Sequence, residues 1–187
     1  MSKSGFLTGQ FLMAMPSIGD DRFDRTLIYM CAHSSDRAMG IVINKVHSDL
    51  DFEGLLAQLD IEVDDVARDV AVHAGGPVEP GRGFVLHSAD YVQDSSLVVS
   101  ETVALTATVD ILKELATGRG PRNAMLALGY AGWSSGQLEN ELSNNAWLTA
   151  ASDDEILFNT DAEQKYPRTM AMLGIDLSML SSEAGHA

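Results

Sequence analysis

The chain has 187 residues, with twelve Lys and Arg against 27 Asp and Glu, and its formal net charge is −15. This length fits one domain, which buries roughly 70% of its unfolded surface and needs no disulfide. The single cysteine, Cys31, excludes an intramolecular disulfide and a four-cysteine zinc site. No apolar run approaches the ~20 residues of a membrane span, and the segment from Met1 to Phe11 lacks the features of a signal peptide. We therefore expect a cytoplasmic protein that makes no membrane contact.

The negative charge also bears on the partners that the chain can have. Residues 123–164 contain no Lys or Arg, and the basic residues elsewhere are dispersed. Such a surface repels a phosphate backbone, so we expect no direct binding to nucleic acid. Because runs of like charge are usually solvated faces, the charge otherwise indicates solubility.

The N-terminal part of the chain predicts three strands. Residues 6–15 are apolar and end at Pro16. The runs Thr26–His33 and Ala38–Lys45 are strand-like, and Ser34 to Arg37 between them suits a hairpin turn.

Two helices are predicted in the middle of the chain. Apolar residues between Phe52 and Leu59 recur at i, i+3, i+4 and i+7, with Asp51 as N-cap. The second helix covers residues 109–116 and ends at Gly118. Three short strands are predicted around these helices, at residues 70–73, 84–87 and 97–99.

The C-terminal part predicts further elements of both kinds. In chain order they are a buried strand at 124–131, a helix at 137–144, edge strands at 146–151 and at Glu155–Phe158, and a last helix. Thr160 and Glu163 fit a capping box for the last helix. Pro167 is expected to kink or divide this helix, and Gly174 to end it.

This order of elements does not alternate as βαβ units do, which favours an α+β fold with largely antiparallel pairing. We expect a single α+β domain over residues 1–180 and a disordered tail at residues 181–187, which are small and polar.

Residues 132–136, Gly-Trp-Ser-Ser-Gly, match the G-x-S-x-G pattern of a nucleophile elbow between a predicted strand and a predicted helix. That mechanism needs a histidine later in the chain, and the only one is His186, beside the C-terminus. Ser134 and Gln137 instead fit a capping box, in which the serine hydroxyl accepts from a free helix amide. We therefore predict that Ser134 is a helix cap and not a nucleophile.

Cys31 and His33 are two residues apart on a predicted strand and should share a face, where a reactive thiolate pair could form. The alternative, which we favour, is a buried thiol, because free cysteine packs as a small hydrophobic residue. No histidine has the i, i+4 or CxxC spacing of a metal site, so we predict neither a metal nor a cofactor.

The sequence Gly75-Gly76-Pro77 follows a predicted strand. Adjacent glycines permit backbone angles closed to other residues and can expose backbone amides to a ligand. The alternative is a tight turn between strands. No Walker spacing follows, so phosphate binding is not indicated.

Four blocks in this order resemble the YqgE/AlgH family of bacterial proteins over nearly the whole chain. The blocks are Gly9–Leu12 with Ala14–Pro16 and Phe23–Thr26; Met39–Lys45; Gly75–Val78 with Phe84–His87; and Leu128–Trp133 with Gly136–Glu141 and Asn145–Leu148. The resemblance implies an α+β fold with largely antiparallel sheets, a barrel-like part and packed helices, of which we expect about four in this chain. It implies no established activity and no agreed catalytic residues, although one branch is labelled a transcriptional regulator. Many members of the family have the sequence Gly-Trp-Gly at the place where this chain has Gly132-Trp133-Ser134.

Our first hypothesis is a regulatory or ligand-sensing protein with a small surface pocket. Its candidate residues occupy loop or strand-end positions, where sites tend to lie: Arg25, Asn44, His73, Gly75, Gly76, Pro77 and Trp133. In this hypothesis the Gly75-Gly76-Pro77 loop and the turn at Trp133 border one pocket. In the alternative, both segments are only tight turns and Trp133 lies in the core.

Two further hypotheses stay open. One is an enzyme of unknown class that uses Cys31 with His33 or His73. The other is a transcriptional regulator that acts through DNA or a partner. The expected partner is an unknown protein or a small-molecule ligand.

Overall fold

The computed structural model describes residues 6–15, 25–63 and 70–175. The strands within these residues are β1 (Gln10–Ala14), β2 (Leu27–His33), β3 (Arg37–Val42), β4 (Val72–Ala74), β5 (Val78–Ser88), β6 (Leu97–Val98), β7 (Val103–Thr106), β8 (Ala124–Ser134) and β9 (Trp147–Ala151). The helices are α1 (Phe52–Gln58), α2 (Val109–Ala116), α3 (Gln137–Ser143), α4 (Asp154–Asn159) and α5 (Ala162–Met172). No helix in the described ranges is long and apolar enough to cross a membrane.

The described strands form one sheet in the order β6-β7-β5-β8-β3-β2-β1-β9, with β4 beside β8. Neighbours along this path pair antiparallel, whereas β4 runs parallel to β8. The eleven residues of β8 pair with β5 in its first part and with β3 in its last part. The sheet curls into a half-barrel, which confirms the predicted α+β class with largely antiparallel pairing.

The inner face of the half-barrel carries one large apolar cluster, which we call the inner core. Residues of seven strands point into it, because side chains alternate between the two faces of a strand. Helices α4 and α5 cover this face through Ile156, Leu157 and Met170. Tyr166 Oη donates to Ala14 O at 2.6 Å and so fixes α5 to β1.

The outer face carries two separate clusters. Helices α1 and α2 pack Leu56, Ile111 and Leu115 against the half of the sheet that contains β5 and the first part of β8. Helix α3 packs Leu138 against the other half, which contains β1, β2 and β3. We call the second cluster the α3 core.

Several sequence predictions are confirmed. The β2–β3 hairpin closes with Ser34 N–H donating to Arg37 O at 2.9 Å. Asp51 caps α1 by accepting from Gly54 N–H at 2.8 Å. Gly174 follows α5 with a φ of 75°, a conformation in which glycine commonly ends a helix.

The strand predicted at Glu155–Phe158 is wrong, because these residues lie in α4. A short apolar run has no clear period, so it fits a strand and a buried helical turn equally well. Asp153 decides the outcome, because its side chain accepts from Ile156 N–H at 3.0 Å and caps the helix. The described residues therefore contain five helices where about four were expected.

The start of α5 also differs from prediction. Its N-cap is Asp161, and the capping box predicted for Thr160 and Glu163 does not form. Thr160 Oγ1 donates instead to Glu155 O at 2.9 Å, at the end of α4. Pro167 lies inside α5, which does not divide there.

Some predicted strand boundaries also differ from those in the structure. β1 covers only part of the predicted run at 6–15, β5 begins earlier than predicted, and β7 was not predicted. Pro16 and the predicted tail at residues 181–187 lie outside the described residues.

Candidate functional site

Arg25 and Asn44 meet at the start of β2. Asn44 Nδ2 donates to Arg25 O at 2.9 Å, and Asn44 Oδ1 accepts from Leu27 N–H at 2.9 Å. Arg25 is exposed and has a φ of 49°, in the left-handed region that non-glycine residues enter rarely. The Asn44 amide therefore satisfies the backbone on both sides of Thr26 and holds the bend at Arg25.

His73 is buried in β4, beside Ala127 of β8, whose side chain lies in the inner core. Its Nδ1 lies 3.2 Å from Leu126 O. Because a carbonyl oxygen only accepts, Nδ1 carries the hydrogen. Burial, and then the charge of Lys165, lower the pKa of His73 to about 4, so its ring is neutral near pH 7.

Gly75 and Gly76 bring the end of β4 against the backbone of β8. Gly75 N–H donates to Leu128 O at 2.7 Å. Gly76 has a φ of 151°, and a Cβ on it would overlap the carbonyl group of Tyr130. Pro77, the next residue, is exposed. The glycine pair therefore permits one backbone to approach another.

Trp133 is 6% exposed and packs in the α3 core. Its Nε1–H donates to Glu141 Oε1 at 2.9 Å, and Trp147 Nε1–H donates to the same oxygen at 2.8 Å. The two indoles meet edge to face, with ring centroids 5.9 Å apart. One carboxylate thus joins α3 to β8 and β9.

The structure brings the seven candidate residues together in part. His73 and the glycine pair lie on one segment beside β8, and Asn44 holds Arg25 at the start of β2. Trp133 packs under α3 on the outer face. A pocket shared by all seven residues stays a prediction.

Ser134 does not cap α3. The N-cap is Gly136, with a φ of 75°. The N–H and the hydroxyl of Ser134 both donate to Gln137 Oε1, at 3.0 and 3.3 Å. Of the two hydrogen bonds of the predicted capping box, only the one from Ser134 N–H to the Gln137 side chain therefore forms.

Replacing Ser134 with alanine should change the free energy of unfolding by less than about 0.5 kcal/mol, because the lost contact is exposed. Asp153→Ala removes a true cap of α4 and should cost about 1 kcal/mol. Urea unfolding of both variants and the wild type measures the difference. A larger loss in Ser134→Ala than in Asp153→Ala would contradict this assignment.

Cys31 and His33 do not share a face, because a β-bulge in β2 inserts Cys31 as an extra residue. Cys31 packs in the inner core, with Sγ 3.7 Å from Tyr29 O, and burial raises the pKa of its thiol. His33 Nδ1 accepts from Leu7 N–H at 3.0 Å, and His33 Nε2 donates to Glu139 Oε2 at 2.8 Å. Leu7 and α3 pack on the outer face. The shared face predicted for the pair is wrong.

Lys165 is a buried cation in α5. It is 3% exposed, and its Nζ donates to Leu157 O at 2.8 Å and lies 4.0 Å from Met125 Sδ. Among the described residues, no carboxylate forms an ion pair with it. Burial lowers the pKa of Lys165 to about 8.

The described residues contain no group of three His, Cys, Asp or Glu side chains placed to hold a metal.

A cavity of about 380 Å³ lies between residues 46–56 and the start of β4, with His47 and Asp51 among its lining residues. Val63 and Val70 also belong to its lining.

A second cavity, of about 140 Å³, lies between α1, α2 and the outer face of β5 and β8, and we call it the α1–α2 cavity. Its lining residues are Leu55, Leu59, Gly81, Gly83, Val85, Thr106, Ala107, Thr108, Val109, Leu112, Leu126 and Leu128. The polar side chains in this lining are the two threonines, and none of the lining side chains is charged.

A chain of hydrogen bonds runs behind these threonines. Thr106 Oγ1 lies 2.7 Å from His87 Nε2 and 2.7 Å from Ser96 Oγ. Thr108 Oγ1 donates to Gln93 Oε1 at 2.9 Å, and Gln93 N–H donates to Ser96 Oγ at 2.9 Å. His87 is fully buried, and burial lowers its pKa, so its ring is neutral near pH 7.

Sequence reasoning missed this cluster. It predicted the apolar faces of α1 and α2, but periodicity does not reveal that two faces leave a gap between them. Thr106 lies in β7, which no pattern indicated. The available signal was His87 in an apolar strand, since a buried imidazole needs hydrogen-bond partners nearby.

Comparison with known proteins agrees with the fold and the sequence blocks. The AlgH-like family model matches residues 11–178. UPF0301 proteins of Mesorhizobium japonicum and Rhodopseudomonas palustris are 54% and 50% identical to the chain. These matches cover 98% and 100% of this chain and 94% and 89% of the relatives.

Two solved structures resemble the chain. The solution structure of the AlgH protein from Pseudomonas aeruginosa is 41% identical with a TM-score of 0.81, over 100% of this chain and 99% of that one. A protein from Corynebacterium diphtheriae, 22% identical over 83% of this chain and 81% of its own, has a TM-score of 0.65 and shares the fold alone. The chain therefore belongs to the AlgH-like family, the YqgE/AlgH family that its sequence blocks resemble.

Proposed function

We propose that this protein is a regulatory protein that binds a small molecule in the α1–α2 cavity. The observation that carries the proposal is an apolar cavity of about 140 Å³ whose lining includes two threonines, of which Thr106 is buried and Thr108 partly exposed. An engineered apolar cavity of about 150 Å³ in another protein accepts benzene, so this volume suits a ligand of similar size. Drug-sized ligands occupy cavities of about 300 Å³ or more.

The lining of the cavity favours binding over catalysis. It contains no Cys, His, Lys or carboxylate side chain, and acid–base catalysis needs such a group within hydrogen-bond reach of the ligand. An enzyme that uses Cys31 has less support, because this thiol packs in the inner core and contacts Tyr29 O.

A regulatory role is supported by the hydrogen bonds that leave the cavity. Thr106 and Thr108 bond to Ser96 and Gln93, which lie between β5 and β6. A ligand that donates a hydrogen bond to the Thr108 hydroxyl would change the strength of the bond from Thr108 to Gln93, so binding would shift the conformations of this segment. The proposed output is a change in affinity for a protein partner, since the charge of −15 disfavours direct contact with DNA.

Benzene serves as the probe for the cavity. Titration should shift the methyl NMR signals of Leu55 and Leu112, which line the cavity, and leave those of Leu138 in the α3 core unchanged. A ligand at about 100 times its Kd stabilises the folded state by about 2.7 kcal/mol, which thermal unfolding would detect.

Gly83→Leu is the blocking variant. A Cβ on Gly83 points into ordinary contact with Leu128 Cδ2 at 3.8 Å, so a leucine there should fill the cavity and abolish the benzene shifts. Gly132→Leu is the control, because Gly132 lies outside the cavity and a Cβ there lies 3.4 Å from the Tyr130 ring. Equal shifts in both variants would overturn the proposed site.

A further inference from the structure

The hydrogen-bond network behind the α1–α2 cavity fixes where each hydroxyl hydrogen points. His87 Nδ1 lies 2.9 Å from Ser88 O, which can only accept, so Nδ1 carries the ring hydrogen. The neutral ring then offers Nε2 as an acceptor, and Thr106 Oγ1 donates to it at 2.7 Å. Ser96 Oγ in turn donates to Thr106 Oγ1.

Thr106 therefore has no hydrogen left to offer, and one of its two lone pairs already accepts from Ser96. The hydrogen of Thr108 is also used, because Thr108 Oγ1 donates to Gln93 Oε1 at 2.9 Å. Neither lone pair of the Thr108 hydroxyl accepts a hydrogen bond within this network. Side chains in the wall of the cavity thus accept hydrogen bonds but donate none.

Charge narrows the ligand class further. The lining has no cationic side chain to pair with an anion and no carboxylate to pair with a cation. A charge placed among these apolar side chains would lose hydration without gaining an ion pair, so the lining favours a neutral ligand.

We infer that the ligand of the α1–α2 cavity is a small neutral molecule with a hydroxyl or N–H group that donates a hydrogen bond to Thr108 Oγ1. The inference rests on the proposed function and adds the chemical class of the ligand. A volume of about 140 Å³ limits this molecule to a body about the size of a benzene ring.

Phenol and toluene test the inference, because they match in shape and differ in a hydroxyl against a methyl group. Their dissociation constants are measured by NMR titration for the wild type, Thr108→Val and Thr108→Ser. A buried hydroxyl that loses its partner should weaken phenol binding to Thr108→Val about tenfold. Toluene should bind Thr108→Val as well as it binds the wild type. Thr108→Ser keeps the hydroxyl and should retain phenol affinity.

The outcomes separate the inference from the proposed function. If both compounds bind the wild type and Thr108→Val changes their affinities equally, the donor preference is overturned and the cavity still binds ligands. If neither compound binds the wild type, both the inference and the proposed function fail. A tenfold loss for phenol alone, restored in Thr108→Ser, supports both.

Discussion

Replacing Gly76 with alanine should destabilise the protein by about 3–5 kcal/mol, which combines an overpacked contact with a strained backbone angle. The new Cβ would overlap the carbonyl group of Tyr130 and lie 2.5 Å from Ala131 N. Both neighbours are backbone atoms of β8, so no side chain can turn aside. The φ of 151° adds strain for any residue with a Cβ.

Alanine substitutions at two other glycines separate the effect of the overpacked contact from the effect of the strained backbone angle. A Cβ on Gly136 meets nothing within 4 Å, but its φ is 75°, so Gly136→Ala should cost about 1–2 kcal/mol from strain alone. A Cβ on Gly81 also meets nothing within 4 Å, and Gly81 has no positive φ, so Gly81→Ala should stay within about 0.5 kcal/mol of the wild type. Urea unfolding gives all three values. If Gly76→Ala loses no more stability than Gly136→Ala, the close approach of the Gly76 backbone to β8 is wrong.

Elements with a clear period or a strong cap could be predicted from the sequence. The sequence predicts the β2–β3 hairpin because two apolar runs flank a polar turn. It predicts α1 because apolar residues recur on one face of a helix. The residues Glu155–Phe158 were misread, because four residues do not define a period. Their helical state depends on the Asp153 cap and on packing against the inner core.

The candidate site was harder to predict than the fold. Asn44 and Trp133 look like ligand contacts in the sequence, yet their polar atoms bond to the chain itself, at Arg25 O and Glu141 Oε1. The α1–α2 cavity depends on how closely two helices approach the sheet, a distance that no local pattern encodes. Lys165 was not singled out either, because its burial follows from the docking of α5.

Lys165 should make stability rise with pH between 8 and 10.5. Its pKa is about 8 in the folded protein against an ordinary value of 10.5, so in this window the unfolded chain binds a proton that the folded protein has released. The free energy of unfolding therefore increases with pH, by about 3 kcal/mol across the window. Below pH 8 both states are protonated, and the cost of the buried charge is present in full.

The effect is isolated by comparison with Lys165→Met. Burial raises the pKa of Cys31 and Tyr29, which acts in the opposite direction at high pH, but both residues are present in wild type and variant. The difference in free energy of unfolding should therefore move in favour of the wild type by about 3 kcal/mol from pH 8 to 10.5. Lys113→Met, at an exposed lysine of α2, controls for the loss of an amine. A pH-independent difference for Lys165→Met would show that the amine is not buried as described.

The same variant should change the titration of His73. The charge of Lys165 is the second cause, after burial, of the lowered pKa of His73, so removing the charge should raise this pKa above 4. Burial remains, so the value should stay below the ordinary 6.5. A histidine with a lowered pKa makes stability fall as pH drops from 6.5 towards 4, because the unfolded chain binds the proton first. This loss should be smaller in Lys165→Met than in the wild type. NMR titration of the His73 ring measures the shift directly, and an unchanged midpoint in Lys165→Met would contradict the proximity of the two groups across the inner core.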